Sequence, residues 1–134
     1  HIDINVSNLR LIQKSMEEVT FDKFGTGRNL RLNFENYEMA GKTGTVQVRR
    51  ISSSERENGV IKNEDLPWKL RDHSLYVGYA PIQSPKYAIS VIVEHGGSGS
   101  SKAGPIARDI MRATLKEDPT KFIPDNPFSK PKIL

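Results

Sequence analysis

Lys42, Thr43, Gly44 and Thr45 set a cation, two hydroxyls and an unsubstituted backbone position side by side. They lead into Val46-Gln47-Val48, whose β-branched alternation predicts a strand. A Lys ammonium is a compact point charge that can fix a carboxylate and polarise a neighbouring hydroxyl. Thr43 and Thr45, two apart on a strand, present their hydroxyls on one face. Gly44 between them lets a ligand lie against the backbone, and an exposed strand edge offers N–H and C=O groups to an extended peptide. That combination suits recognition of a peptide carboxylate. Gly41-Lys42-Thr43 also closes a nucleotide phosphate-loop pattern, but that pattern needs a glycine where Asn36 stands and a helix where Val46-Gln47-Val48 follows. Phosphate-loop chemistry is excluded on both counts. By itself the short motif does not separate peptide recognition from an ordinary surface strand.

The chain that must position these residues has 134 residues, room for one domain of ordinary size. Its formal charge is +4 and its pI near 9.4. The basic residues (Arg28, Arg31, Arg49, Arg50, Lys69, Arg71, Lys102, Arg108) are dispersed, without a long basic run or interleaved aromatics, so no nucleic-acid partner is expected. The absence of cysteine excludes disulfides, thiolate metal sites and a Cys nucleophile. His1, His73 and His95 form no metal-ligand spacing and are expected to be structural or surface residues. No metal or cofactor is expected. No apolar run approaches the length that crosses a bilayer; the longest, Tyr87 to Val93, is strand-sized.

Ser7 or Asn8 is expected to cap a first helix whose apolar face is Leu9, Ile12, Met16 and Val19, ending near Thr20. Gly25-Thr26-Gly27 then reads as a turn. Leu30, Leu32 and Phe34 alternate like a short strand before Gly41. Residues 51 to 70, with Ser52-Ser53-Ser54, charged Glu55 to Glu57 and Pro67, read as a long loop or insertion, with Trp68 packing down on the body. His73 to Tyr79 and Tyr87 to Glu94 predict two further strands joined by a Pro81/Pro85 turn, the second a central strand covered on both faces. The Gly-rich stretch from His95 to Ser101 leads to a helix with Pro105 in its first turn. Its apolar face is expected to be Ile106, Ile110, Met111 and Leu115, with Asp118-Pro119 ending it. These elements make an α+β fold with an antiparallel sheet of three main strands and helices packed on it. The prolines from Pro119 onward predict an irregular tail over 118–134.

The order of segments is more specific than any one of them. A helix, a Gly-Thr-Gly turn, Ala40-Gly41-Lys42-Thr43-Gly44-Thr45, a long loop, Arg71-Asp72-His73, Gly78-Tyr79-Ala80-Pro81, an apolar strand and Ala103-Gly104-Pro105-Ile106-Ala107 succeed one another. Over about residues 4 to 117 this resembles the C-terminal half of a class B penicillin-binding protein transpeptidase domain. Leu70-Arg71-Asp72-His73 and Glu94-His95-Gly96-Gly97-Ser98-Gly99 look most like the elongation type, penicillin-binding protein 2.

The resemblance implies a Ser-Lys acyl-transferase that cross-links peptidoglycan stem peptides and is acylated by β-lactams. It also implies a parent enzyme anchored in the bacterial inner membrane with its catalytic domain in the periplasm, working with the cell-elongation machinery. Lys42 would orient the hydroxyl of the family's second motif and the substrate carboxylate; Thr43, Gly44 and Thr45 would bind that carboxylate. The Thr45 backbone N–H would be one of two oxyanion donors, the other belonging to the nucleophilic serine. The family's Ser-x-Asn does not occur here, and the one Ser-x-x-Lys, Ser129 to Lys132, contains Pro131 and follows the Lys-Thr-Gly element instead of preceding it. The chain therefore reads as a fragment, 1–117 of the domain plus the tail, inactive alone. In the whole domain the sheet has five strands, so self-association through an uncovered edge at Tyr87 to Val93 is expected. A free-standing, non-enzymatic peptide-binding module using the Lys42–Thr45 edge is the alternative.

Overall fold

The computed structural model describes residues 4–32 and 37–118. Phe34 and the tail expectation for 119–134 lie outside these residues. The order is helix α1 (Val6–Phe21), strand β1 (Ala40–Val46), short helix α2 (Ser53–Asn58), strands β2 (His73–Ala80) and β3 (Tyr87–Val93), and helix α3 (Ala103–Lys116). Single 3-10 turns cover Arg28–Leu30, Asn63–Asp65 and Trp68–Leu70. The three strands form one antiparallel sheet ordered β1-β2-β3, with Thr43 opposite Tyr76 and Tyr76 opposite Val91. The α+β architecture is as expected.

One face of the sheet is covered by α3. Strand alternation places Ser74, Tyr76, Gly78 and Ala80 of β2 beside Tyr87, Ile89, Val91 and Val93 of β3 on that face. Ala103, Ala107, Met111 and Leu115 of α3 pack there with Leu30, Leu32 and Met39 to make the core. Ile106 and Ile110, expected on the buried side, are 45% and 49% exposed. The buried stripe keeps the expected Met111 and Leu115 but begins with the small residues Ala103, Gly104 and Ala107, where the first turns of the helix approach their neighbours closely. A Cβ on Gly104 would stand 2.6 Å from a Leu30 methyl. Leu30 reaches this core from a 3-10 turn, not from a strand.

Three further expectations are corrected. The α1 cap is Asn5, whose side chain accepts from the Ser7 N–H at 2.9 Å, so the helix starts before both expected residues. Strand β3 lies at the sheet edge and β2 is central. On the face away from α3, Val77 is 44% and Ile92 63% exposed, so the largely apolar β3 is covered on one face alone, where its side chains are half-buried.

The 51–70 segment is ordered. Ser52 and Glu55 form a capping box on α2, and Asn63 exchanges two hydrogen bonds with Asp72, at 2.8 and 3.0 Å. The Arg71 guanidinium donates to the Leu66 and Glu64 carbonyls. Trp68 does not pack on the body: it is 56% exposed and stands edge-on to His95, ring centroids 4.5 Å apart. Beyond α3, buried Asp118 accepts from the Tyr87 hydroxyl at 2.9 Å and from Lys86 at 3.1 Å, tying the helix end to the start of β3.

Candidate functional site

Lys42, Thr43, Gly44 and Thr45 lie in β1, at one margin of the sheet, with β2 on one side and no strand on the other among the described residues. Lys42 and Thr45 are exposed, while Thr43 and Gly44 are half-buried. The edge is formed by two demands on the local sequence. At its start Ala40 and Gly41 are buried against β2, and the Tyr76 ring occupies the space where a Gly41 side chain would sit. Past Gly44 the strand rises clear of the core, leaving Val46 45% exposed.

Alternation along β1 puts the Thr43 and Thr45 side chains on one face and Lys42 on the other. The Lys42 ammonium bends back to the strand and donates to the Thr43 carbonyl oxygen at 2.6 Å. Cation and hydroxyls therefore converge on the strand margin from its two sides. Thr43 Oγ1 lies 2.8 Å from Thr26 Oγ1, so the Gly-Thr-Gly turn after α1 fixes the first hydroxyl. The turn is fixed in its own right, since the Gly27 N–H donates to the Val19 carbonyl at 2.8 Å. Among the described residues Thr45 makes no side-chain hydrogen bond, and it stands exposed at the margin.

Behind the margin, the loop from Gly96 to Lys102 crosses the β1–β2 ladder. A Cβ on Gly99 would strike the Leu75 oxygen and stand 2.8 Å from the Gly44 nitrogen. Loop and helix are clamped together by buried Ser74, whose hydroxyl donates to the Ser98 carbonyl at 2.9 Å and accepts from the Ala103 N–H at 3.0 Å. Two of the histidines also meet there. The His95 N–H donates to His73 Nδ1 at 2.9 Å, and His95 Nδ1 lies 2.9 Å from the Arg71 carbonyl. Both rings thus serve backbone groups at the base of the β2–β3 pair. Among the described residues, no group of three His, Cys, Asp or Glu side chains could hold a metal, and no helix is long and apolar enough to cross a membrane.

Sequence reasoning placed Lys42 to Thr45 together because they are contiguous. It did not find Thr26 or Gly99 as their neighbours. The Gly-Thr-Gly turn was the signal for Thr26, but a permissive turn does not say what its hydroxyl will face.

An edge strand carrying Lys-Thr-Gly-Thr, backed by two further antiparallel strands and helix α3, is the arrangement that the resemblance implied. The comparison with known proteins agrees. Residues 1–112 match the family described as penicillin binding protein transpeptidase domain, and the chain belongs to that family. It is 38% identical over 118 residues to the peptidoglycan D,D-transpeptidase MrdA of Haemophilus influenzae, covering 86% of this chain and 17% of that protein. It is 40% identical over 111 residues to the enzyme of the same name from Acinetobacter baumannii, covering 79% and 16%. Among solved structures, Pseudomonas aeruginosa PBP2 in complex with WCK 5153 superposes with a TM-score of 0.61 at 31% identity, over 86% of this chain and 20% of that one. The complex of Helicobacter pylori PBP2 with MreC gives 0.59 at 28% identity, over 83% and 17%. The kinship is thus with penicillin-binding protein 2, as the segment order implied, and the chain spans about a sixth of the length of these curated relatives.

Proposed function

We propose that this chain forms one wall of the active site of a peptidoglycan D,D-transpeptidase, with residues 1–117 contributing to the catalytic domain. The observation that carries the reading is the exposed β1 margin, on which Lys42, Thr43 and Thr45 converge around a bare Gly44. In the reaction, a serine hydroxyl attacks the carbonyl of the penultimate D-Ala of a stem peptide. The bond to the terminal D-Ala breaks, that residue leaves, and the resulting ester is taken up by an amine of a neighbouring stem. Here Thr43 and Thr45 hold the terminal carboxylate, Lys42 supplies positive charge beside it, and the Thr45 N–H donates to the oxyanion.

The sequence has no Ser-x-Asn, and its one Ser-x-x-Lys follows α3 in the chain and contains Pro131. The chain alone therefore provides binding groups without the nucleophile and does not turn over. The longer parent is a β-lactam target in the bacterial inner membrane with its catalytic domain facing the periplasm. The complex of the Helicobacter pylori relative with MreC supports an elongation-machinery partner for that parent. No cofactor takes part.

Acylation by a labelled penicillin tests the reading. The expected result is no label on this chain and label on the longer protein that contains it, sharply reduced by Lys42→Ala. An unlabelled parent would overturn the transpeptidase reading in favour of a non-enzymatic peptide-binding module, and label on this chain alone would overturn its inactivity.

A further inference from the structure

Past Thr45 the β1 margin runs into a polar groove of about 400 Å³ lined by Gln47, Arg50, Ile51, Ser52, Ser53 and Arg56. The lining holds two guanidinium groups, an amide and two hydroxyls, and no carboxylate. The α2 carboxylate of Glu55 is already committed. Glu55 takes the third arginine of the segment, Arg49, in a two-pronged pair at 2.8 and 2.7 Å, and its other contacts close the α2 capping box. Arg50 and Arg56 are both exposed, and no ion pair joins either to an acid among the described residues. Planar guanidinium forks match carboxylates in pairs of hydrogen bonds, and two of them on one groove make it selective for an anion.

The shape of β1 says which anion could reach it. Its first residues close into the core, with Met39 and Ala40 fully buried. Its far end and the residues after it open to solvent, with Val46 45% and Val48 38% exposed. A peptide whose terminal carboxylate rests at Lys42–Thr45 can therefore extend along the margin only past Val46. At roughly 3.3 Å per extended residue, Gln47 lies about 7 Å beyond Thr45, the span of two peptide residues.

We infer that this groove is a second carboxylate subsite, in which Arg50 and Arg56 take the acidic side chain of the residue two positions before the terminal D-alanine. The inference rests on the reading of Lys42–Thr45 given above and adds a substrate preference to it. Gln47 and the Ser52 and Ser53 hydroxyls complete the polar lining. Glu55 is occupied by Arg49, so the two remaining arginines face the ligand without competition from that carboxylate.

The test is titration of the isotope-labelled chain with acetyl-Glu-D-Ala-D-Ala and with acetyl-Gln-D-Ala-D-Ala, followed by amide NMR. The acidic peptide is expected to bind about three- to tenfold more tightly than the amide peptide and to shift residues 50–56 as well as 42–45. In the double variant Arg50→Gln/Arg56→Gln, that advantage should vanish while the amide peptide binds as before. Both arginines are exposed, and an unchanged amide-peptide titration shows that the variant has kept its fold. Equal affinity of the two peptides, with shifts at 42–45, overturns the subsite and leaves the primary reading standing. No shift at 42–45 with either peptide overturns both. Inorganic phosphate matching the acidic peptide at residues 50–56 overturns the peptide subsite in favour of a general anion site.

Discussion

Thr26 Oγ1 and Thr43 Oγ1 lie 2.8 Å apart, across a gap of 17 residues in the chain. This contact joins the turn after α1 to the strand margin and holds the Thr43 side chain in one rotamer. Thr43 therefore presents its remaining hydrogen-bonding capacity to the margin without first losing rotational freedom.

Thr26→Val removes the partner while keeping the side-chain shape. Thr26 is exposed, so stability should change by no more than about 0.5 kcal/mol. Binding of a D-Ala-D-Ala peptide should weaken by about 1 kcal/mol, the worth of one positioning hydrogen bond. Thermal melting and a peptide titration measure the two effects separately; full-strength binding would mean that Thr43 is held by its own strand.

Gly41→Ala acts on the core behind the margin. The added methyl would meet the Tyr76 ring and stand 2.6 Å from the Val77 carbonyl oxygen, so the ring must move. A loss of about 1–3 kcal/mol is expected from overpacking. Denaturant unfolding gives the value, and a change under 0.5 kcal/mol would show that Tyr76 yields freely.

Tyr76 itself connects this packing to pH. Burial pushes its phenol up to about 12, and the nearby Thr20 hydroxyl only partly offsets that rise. Neither hydroxyl completes a hydrogen bond of good geometry. Because the folded state holds the proton more tightly than the unfolded chain, this contribution to stability is intact below pH 10 and is lost as pH climbs from 10 toward 12. Tyr76→Phe deletes a buried, unpaired hydroxyl, so it should be neutral or stabilising by up to about 1 kcal/mol at pH 7. It should also flatten the alkaline part of the unfolding profile, which a series of melts from pH 8 to 12 would reveal.

At low pH the sensitive group is Glu55. Its hydrogen bonds from Arg49, aided by those from Ser52, hold its carboxyl down to about 2. The sign is opposite to that of Tyr76: the order it confers on 49–58 is present above the ordinary Glu range near 4.5 and is lost as pH falls from there through about 2. Amide protection factors, corrected for intrinsic exchange, should fall across 49–58 in that window before they fall in β2. Equal protection factors at pH 3 and pH 6 would contradict it.

The outer edge of β3 is paired to no strand among the described residues, and Ile92 beside it is 63% exposed. A strand of such composition templates pairing with another copy. Sedimentation velocity should show concentration-dependent association, and Ile92→Lys should shift it toward monomer. A single monomeric boundary at all concentrations would count against the edge.

Much of this was legible in the residues. Contiguity determined that Lys42 to Thr45 share a strand, and alternation determined that the two threonines share a face. The β2 and β3 spans followed from their β-branched and aromatic runs, and the order of segments pointed to the family. Sequence periodicity could not set the depth of each element. Residues 87–93 are apolar but for Ser90, yet β3 lies at an edge; Ile106 and Ile110 keep a helical spacing, yet Ala103 and Ala107 face the sheet. Which face is buried depends on how closely two elements approach, and that distance is a property of the packed pair. The contacts that finish the margin (Thr26 on Thr43, Gly99 over Gly44, Arg49 drawn to Glu55) were decided only in three dimensions. The first two join residues distant in the chain, and the third spans the bend that the Ser52–Glu55 capping box closes. Local preference acts within a few residues, whereas a site like this one is assembled by long-range contacts that no short stretch of sequence encodes.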